Sequence, residues 1–391
     1  MRRAGLTIIS LAVAACSSQD GIPRSIVGPS ASLSRSGDDA FGDSETNDDR
    51  GARGAVYTLT NSTTANAVRA FARARDGSLA FVADYPTGGT GTGGGLGNQG
   101  AIVFAGGGRY LLAVNPGSNQ LSSFRITNGG LKLISTVSSG GHTPVSVSSS
   151  RDLAYVLNSG GTGNISGFRI GDGGLLDPID NSTRALSSAT AGAAEVRFSP
   201  TGEQLVVTEK ATSKILAFQI GDDDRPGNAV VNASAGKTPF GFEFTDGGLL
   251  IVSDAFGGAP GASAASSYRL TDDGLLSVRS ALVPTTQTAA CWVAIAPGDR
   301  FAYLTNTNSG TITGYRILFN GTLERLDPSG ITATTGAGPT DASFARGGRF
   351  LYALNATSHS ISAFRVSSSG ALTAIGTTTG LAAGGTGLAS R

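Results

Sequence analysis

The predicted fold is decided by YLLAVN at residues 110–115 and LSSFRI at residues 121–126. Both segments are short and rich in apolar and β-forming side chains, as expected of strands in a sheet. Pro116, Gly117 and Ser118, which lie between them, are residue types that favour a turn. The stretch therefore predicts a β-hairpin whose first strand ends at Asn115.

The same hairpin recurs along the chain. Its first strand has seven copies, which read VYTLTN (56–61), YLLAVN (110–115), LAYVLN (153–158), LVVTE (205–209), LIVSD (250–254), AYLTN (302–306) and LYALN (351–355). Its second strand reads AVRAFAR (67–73), LSSFRI (121–126), ISGFRI (165–170), ILAFQI (215–220), ASSYRL (265–270), ITGYRI (312–317) and ISAFRV (361–366). A third strand follows each hairpin and a further strand separates the copies, so each unit has four strands.

The repeat from Asn61 to Asn355 averages 49 residues, which is the size of a propeller blade. Seven such units account for residues 55–391, and we predict an all-β, seven-bladed β-propeller of four-stranded blades. The first copy lacks the strand that precedes the others. Because Gly385–Ser390 resembles Gly338–Ser343, which opens the last full unit, we expect the C-terminal strand to complete the first blade and close the ring without open edges.

Composition narrows the functions that are open to this chain. It has 391 residues, 58 of them Gly, and a formal net charge of +1. Because Lys and Arg are scattered, no nucleic-acid partner is predicted. No HxxxH, CxxC or EF-hand spacing occurs, so neither a metal site nor a cofactor is predicted. Cys291 precedes Trp292 in an apolar strand, and we interpret it as a small buried residue.

The first residues are typical of a bacterial export signal. Arg2-Arg3 precedes an apolar run at 4–15 that is too short to remain as a membrane span. Val13-Ala14-Ala15-Cys16 matches a lipobox, so we predict a signal peptide at 1–15 and lipidation at Cys16. Residues 16–54, rich in Ser, Gly and Asp, are predicted to be a flexible tether. The protein is expected in the bacterial cell envelope, at the outer membrane or cell surface, where the lipid alone anchors it to the membrane.

The first unit carries an insert, Tyr85–Gly100, which contains GGTGTGGGLGNQG. No GK[ST] sequence follows and no helix pattern begins there, so a phosphate-binding loop is not indicated. The glycine content predicts a mobile surface loop.

Asn ends the first strand of the hairpin in five of the seven copies, and we interpret it as a scaffold residue that caps the turn. Glu209 and Asp254 replace this Asn in adjacent units. In a propeller, this strand, the second of its blade, ends on the same face as the approach to the blade's first strand, near the central channel. The other polar candidates on that face are His142, Glu195, Lys210 and Lys237.

These residue types indicate acid–base chemistry or polar ligand binding. We predict catalytic roles for Glu209, Glu195 and His142, and ligand binding by Asp254, Lys210 and Lys237. The three carboxylates at one mouth are expected to repel one another, which raises carboxyl pKa values toward the range of a useful base. The alternative is that Glu209 caps its turn or pairs with Lys210 or Lys214.

The segments FSPTGEQLVVTEK at 198–210 and RFLYALN at 349–355 resemble those of the seven-bladed propeller lactonases. That family includes the propeller type of 6-phosphogluconolactonase and the carboxymuconate cyclase-like lactonizing enzymes of fungi. The resemblance covers residues 55–391 and implies a lactone substrate, with Glu209 matching the glutamate of the family's site. The family's Gly-Pro-Arg-His motif reads Gly192-Ala193-Ala194-Glu195 here, so its Arg and His are absent.

Two functions remain open from the sequence. One is hydrolysis of a lactone at the channel mouth, where Glu209 activates water and a cation steadies the oxyanion. The other is non-catalytic binding of a sugar, a peptide or another envelope protein. The fold does not distinguish them. We expect a lactone or sugar as the small-molecule ligand, and a monomeric protein.

Overall fold

The computed structural model describes residues 54–391. The predicted signal peptide, the lipobox with Cys16 and the predicted tether up to residue 53 lie outside the described residues. Within residues 54–391, 30 β-strands form seven antiparallel sheets, each of which is one blade. No helix in this part of the chain is long and apolar enough to cross a membrane.

The first three blades have the following strands, numbered in chain order. Blade 1 contains β1 (Ala55–Leu59), β2 (Ala67–Arg73), β3 (Leu79–Pro86) and β30 (Thr386–Ser390). Blade 2 contains β4 (Ile102–Ala105), β5 (Tyr110–Asn115), β6 (Gln120–Thr127) and β7 (Gly130–Ser138). Blade 3 contains β8 (His142–Ser150), β9 (Leu153–Gly160), β10 (Asn164–Ile170), β11 (Leu176–Pro178) and β12 (Arg184–Ala185).

The remaining four blades repeat this arrangement. Blade 4 contains β13 (Ala193–Phe198), β14 (Gln204–Glu209), β15 (Lys214–Gln219) and β16 (Val230–Ala233). Blade 5 contains β17 (Pro239–Phe244), β18 (Leu249–Asp254), β19 (Ala264–Leu270) and β20 (Leu276–Pro284). Blade 6 contains β21 (Ala290–Ile295), β22 (Phe301–Asn306), β23 (Thr311–Ile317), β24 (Leu323–Arg325) and β25 (Ala333–Thr334). Blade 7 contains β26 (Pro339–Phe344), β27 (Phe350–Asn355), β28 (Ser360–Val366) and β29 (Leu372–Thr379).

The inner strand of each blade lines the central channel. In order around the ring, these strands are β30, β4, β8, β13, β17, β21 and β26. The second strand of a blade is buried on both faces because a neighbouring blade packs on each side, as β14 and β18 show. The outer strand faces solvent, and most residues of β20 are exposed. The predicted seven-bladed propeller is therefore confirmed.

The hydrophobic core is divided among the seams between blades. Between blades 3 and 4, Tyr155 packs edge-on against Phe198, with 5.8 Å between the ring centroids. The Tyr155 hydroxyl donates to a backbone carbonyl of blade 4, at Asp224, at 2.7 Å. Tyr303 and Tyr352 reach the turn of the next blade in the same way. Each buried tyrosine thus satisfies its hydroxyl while its ring fills a seam.

The C-terminal strand closes the ring as predicted. β30 pairs antiparallel with β1, and Val56 lies opposite Ser390. Backbone hydrogen bonds join Ala55 and Arg391 in both directions, at 3.2 and 2.9 Å. Blade 1 is therefore built from both ends of the described chain, which leaves no unpaired edge between blades 7 and 1.

Candidate functional site

Each inner strand has a row of N–H groups without a partner in its own blade, because it has a sheet neighbour on one side only. Side chains of the preceding blade accept these hydrogen bonds. Ser146 Oγ accepts from Val196 N at 3.2 Å. Ser148 Oγ accepts from Phe198 N at 3.0 Å. Because an unpaired buried N–H costs free energy, these contacts hold neighbouring inner strands together around the channel.

Three blades use a carboxylate for this contact. Glu195 on β13 accepts from a backbone N–H of β17 at 2.7 Å. Glu243 on β17 accepts from β21 at 2.7 Å, and Asp341 on β26 accepts from β30 at 3.0 Å. Carboxylates of blades 4, 5 and 7 therefore bridge neighbouring inner strands along the channel.

Arg197 joins two of these carboxylates. Its Nε donates to Glu195 Oε1 at 3.0 Å, and its Nη1 donates to Glu243 Oε1 at 3.1 Å. The Glu195 side chain is 1% exposed, whereas those of Arg197 and Glu243 are 29% and 27% exposed. The cluster thus presents one guanidinium and one partly open carboxylate to the channel.

Burial governs the protonation of these carboxyl groups. It raises the pKa of Glu195 to about 7, against the opposing effect of Arg197. Burial also raises the pKa of Glu243 and takes that of Asp341 well above its ordinary value. A carboxyl group whose pKa lies near neutrality can exchange a proton at physiological pH, which is the property required of an acid–base catalyst.

Two adjoining cavities open beside Arg197. The larger, of about 270 Å³, lies where the inner strands end and is lined by residues 148–150, 197–200 and 244–246. The smaller, of about 220 Å³, is more enclosed and includes Phe104 and Glu195. Arg197, Ser148 and Ser149 line both cavities. The cavities combine hydroxyls, a cation and carboxylates with aromatic walls, a set of groups suited to a small polar ligand.

The opposite mouth of the channel is closed by the insert in blade 1. Gln99 Nε2 donates to Val293 O at 2.7 Å, and Gln99 Oε1 accepts from Val293 N at 3.0 Å. Trp292 Nε1 donates to Asn98 O at 2.6 Å. Lys210 Nζ donates to Gly97 O at 2.5 Å. The expectation of a surface loop is wrong for Gly97, Asn98 and Gln99, which are buried against blades 4 and 6.

Glu209 lies in the seam between blades 3 and 4 and is fully buried. Its carboxylate accepts hydrogen bonds from Ser187 N at 2.8 Å, from Ser187 Oγ at 2.5 Å and from Thr212 Oγ1 at 2.5 Å. A substrate would reach this carboxylate only if the segment at Ser187 moved. The geometry fits the capping alternative, while the role of Glu209 as a base stays a prediction.

Asp254 occupies the equivalent position in blade 5. It is fully buried and accepts from Ser266 Oγ at 2.5 Å and from Ser234 Oγ at 3.3 Å. Burial raises its pKa to about 7. The expectation that Glu195, Glu209 and Asp254 repel one another is wrong. No carboxylate contributes to the Asp254 shift, and the repelling neighbour of Glu195 is Glu243.

The other predicted residues are not brought together at one site. His142 is exposed at the start of β8, with Nδ1 3.5 Å from Asn119 Nδ2. Lys237 is exposed, and neither residue lines either cavity. Lys210 is buried, with its ammonium 4.7 Å from the centre of the Phe240 ring, and burial lowers its pKa to about 8. Among residues 54–391, no group of three or more potential metal ligands occurs.

Sequence reasoning missed Arg197 and Glu243. The signal was present in the inner strands, where β8 carries Ser148 at the place of Arg197 and β26 carries Ser343. A charged side chain facing the channel breaks the repeat as clearly as Glu209 does. Of the three charged residues in this cluster, only Glu195 was among the predicted site residues.

Comparisons with known proteins agree with this architecture. The family model "Lactonase, 7-bladed beta-propeller" matches residues 53–187 and 265–385. A solved structure of a "putative 6-phosphogluconolactonase" from Bacteroides fragilis NCTC 9343 is 18% identical, with a TM-score of 0.70, and the match covers 89% of this chain and 100% of that one. The periplasmic gluconolactonase of Pseudomonas aeruginosa is also 18% identical, with a TM-score of 0.67 and coverage of 86% and 99%.

These two structures show a shared fold at this level of identity. No curated protein matches the chain significantly. The family model covers more than half of the sequence, on both sides of residues 188–264, which hold blade 4 and the first half of blade 5. The chain therefore belongs to the lactonase family of seven-bladed β-propellers.

Proposed function

We propose that this protein hydrolyses a small lactone at the open end of its channel, around Arg197. The observation that carries the proposal is that Arg197 lines both cavities and Glu195 lines the smaller one, while Glu243, which lines neither, is held against Arg197 at 3.1 Å. Membership of the lactonase family and the names of the two similar structures support this choice of substrate class. The proposed reaction centre is therefore not at Glu209. Glu209 lies toward the other mouth of the channel, which the insert closes.

The proposed reaction needs a base and a group that stabilises negative charge. Glu243 is the more open carboxylate, and it accepts a proton from water while the resulting hydroxide attacks the lactone carbonyl carbon. Arg197 stabilises the oxyanion as it forms. The ring C–O bond then breaks, and the leaving oxygen takes the proton from Glu243 to give a hydroxy acid. Glu195 positions Arg197 through its hydrogen bond to Nε.

The cavity walls favour a polyhydroxylated substrate. Ser148 and Ser149 offer hydroxyls that donate and accept hydrogen bonds. Phe104 and Phe244 give apolar surface for the carbon face of a sugar ring. A sugar lactone presents both kinds of surface, so we propose this class of ligand.

Binding without turnover is the second candidate. Both carboxylates already accept backbone hydrogen bonds, Glu195 from β17 and Glu243 from β21. Such contacts stabilise the charged form and hold the side chain in place. If they also hold Glu243 too far from water, the site binds a sugar and does not hydrolyse it.

The proposed setting is the bacterial cell envelope. The lipobox ending at Cys16 supports export and a lipid anchor. One similar structure is named as a periplasmic protein, which is compatible with this location. We further propose that the propeller acts as a monomer, because ring closure completes every blade within one chain.

The deciding experiment is hydrolysis of a panel of sugar lactones by purified protein, followed at constant pH by base uptake. Glu243→Gln should lower turnover about a hundredfold, the scale of a general base. Glu203→Gln, which removes an exposed carboxylate in the β13–β14 turn, is the matched control and should leave turnover unchanged.

Calorimetric titration with the same lactones separates the two candidates. Binding that is lost in Glu243→Gln without hydrolysis in the parent protein supports the binding function. Hydrolysis that survives in Glu243→Gln places the reaction elsewhere and contradicts the proposed centre.

A further inference from the structure

Three hydrogen-bond donors at the closed mouth are held by three consecutive residues of the insert. Lys210 Nζ donates to the Gly97 carbonyl, and Trp292 Nε1 donates to the Asn98 carbonyl. Val293 N donates to the Gln99 side chain. The donors come from blades 4 and 6, while all the acceptors come from the insert in blade 1. The donors therefore converge on one short segment.

The bond to Val293 N has a specific structural cause. Alignment of AAEVRF in β13 with PFGFEF in β17 puts Gly241 where blade 4 has Glu195. Glu195 accepts from the next inner strand, but Gly241 has no side chain that could do so. A Cβ at Gly241 would collide with Gln99 Oε1. The insert thus supplies, from another blade, the acceptor that blade 5 lacks.

Lys210 is a buried cation that has no counter-ion among the residues that the structure describes. Within residues 54–391, no carboxylate forms an ion pair with it, and its ammonium contacts one neutral carbonyl and the Phe240 ring. Burial lowers its pKa, with no charged group opposing the effect. A buried charge is stabilised far better by an opposite charge than by a neutral acceptor. An anion at this position would therefore bind Lys210 more strongly than Gly97 O does.

The segment begins with a glycine and has glycines on both sides, which allow its backbone to rotate. Gly93, Gly97 and Gly100 have positive φ values of 78°, 59° and 81°. Glycine adopts both signs of φ at little strain, so the free energy needed to lift the segment is mainly that of its hydrogen bonds, which include those from Gln99 N to Ala194 O and from Asn98 Nδ2 to Val145 O. Lifting it frees the three donors and opens the mouth toward the channel.

We propose that Gly97–Gln99 occupies a cryptic site for a small carboxylate, which displaces the segment and binds Lys210, Trp292 and Val293. The outer Cα atoms of three consecutive residues lie at most about 7 Å apart, so the donors suit a small molecule no longer than this. A hydroxy acid has this size, with a carboxylate for Lys210 and further oxygens for the two N–H donors. The site lies at the other end of the channel from Arg197 and does not depend on the proposed hydrolysis.

The chain's one tryptophan reports directly on this site. Trp292 is the single Trp of the sequence, and its indole bonds to Asn98. Acetate, lactate and gluconate are titrated into the full-length protein while tryptophan emission is recorded, with sodium chloride at equal ionic strength as the reference. We expect saturable changes with at least one carboxylate and none with chloride.

Two variants make the test decisive. Gln99→Ala weakens the hold of the segment, so the carboxylate should bind about tenfold more tightly, the scale of one or two lost hydrogen bonds. Lys210→Met should abolish the response. Gln204→Ala is the matched control, because it also removes two amide hydrogen bonds, to Thr271 and Asp272, at a distant turn. The Gln204→Ala protein should bind the carboxylate with the same affinity as the parent protein.

Several outcomes overturn the proposal. They are no response to any of the three carboxylates in either the parent protein or Gln99→Ala, weaker binding by Gln99→Ala, and an unchanged response in a folded Lys210→Met protein. Circular dichroism and thermal melting establish that each variant is folded before it is titrated. A response in Gln99→Ala alone supports the proposal, since it shows that the segment competes with the ligand.

Discussion

Asp254 stands where five other blades have asparagine. In blades 6 and 7, Asn306 and Asn355 donate from Nδ2 to hydroxyls of Thr313 and Ser362 on the next strand. At Asp254 the direction is reversed, because Ser266 Oγ donates to the carboxylate at 2.5 Å. This position in the blade can therefore hold either a hydrogen-bond donor or an acceptor, because the hydroxyl of the partner residue can rotate to match it.

Replacing Asp254 with the residue of the other blades should make stability less sensitive to pH. Burial raises the folded-state pKa of Asp254 from 3.8 to about 7, so between these values the folded protein holds a proton that the unfolded chain releases. Stability is therefore lost as the pH rises through this range. We expect Asp254→Asn to raise the melting temperature at pH 8 and to change it little at pH 4.

Thermal unfolding followed by circular dichroism from pH 4 to pH 8 checks this prediction. Asp152→Asn, at an exposed turn, serves as the control and should follow the parent protein at every pH. A gain from Asp254→Asn that is the same at pH 4 and pH 8 would mean that ionisation of Asp254 is not its cause.

Glu209 is the residue at which the capping and catalytic interpretations differ most. Its carboxylate accepts three hydrogen bonds, and a Gln side chain can replace only part of them because its NH₂ group would face donors. We expect Glu209→Gln to lower the free energy of unfolding by roughly 1–3 kcal/mol. Turnover of any lactone found as substrate should stay within a few-fold. A hundredfold loss of turnover with unchanged melting would instead identify Glu209 as the base.

At the scale of elements, the strands were predictable and the insert was not. The hairpin repeat indicates every blade because each strand's pattern is local. The course of Tyr85–Gly100 depends on distant partners, since Gln99 bonds to Val293 and fills the space left by Gly241. Glycine content indicates conformational freedom and gives no information about such partners. The charged cluster at Arg197 was missed for a related reason, because it forms only when blades 4 and 5 lie side by side.

The closing strand can be tested by removing it. Deletion of the last eight residues takes away β30 and exposes the edges of β1 and of the seam with blade 7. Since a domain's net stability is only about 5–15 kcal/mol, we expect a large fall in melting temperature or aggregation. Size-exclusion chromatography and thermal melting measure both effects. A chain extended by eight Gly and Ser residues after Arg391 is the control, and normal melting of the deleted chain would contradict closure by β30.

At the scale of the whole molecule, the family and the fold agree with what the repeat predicts, and the proposed membrane anchor can be tested at the lipobox. We expect Cys16→Ser to release the protein from membranes or to leave it unprocessed, because the thiol is the lipid acceptor in a lipobox. Membrane fractionation and gel mobility of the expressed protein measure this. A variant that fractionates and migrates like the parent protein would remove the lipid anchor from the proposal.

The composition of blade 1 also determines when its four strands can assemble during synthesis. Its strands β1, β2 and β3 are among the first parts of the propeller to be synthesised, but their inner strand is the last. Until the ribosome has added Thr386–Ser390, β1 has a free edge and blade 7 has no neighbour on one side. Pairing Val56 with Ser390 also requires the chain to close its longest loop, which is a slow step in folding. A chain that lacks β30 is thus left as an open arc with two unpaired edges, so the pairing of β30 with β1 is the step that protects the propeller from association with other copies of itself.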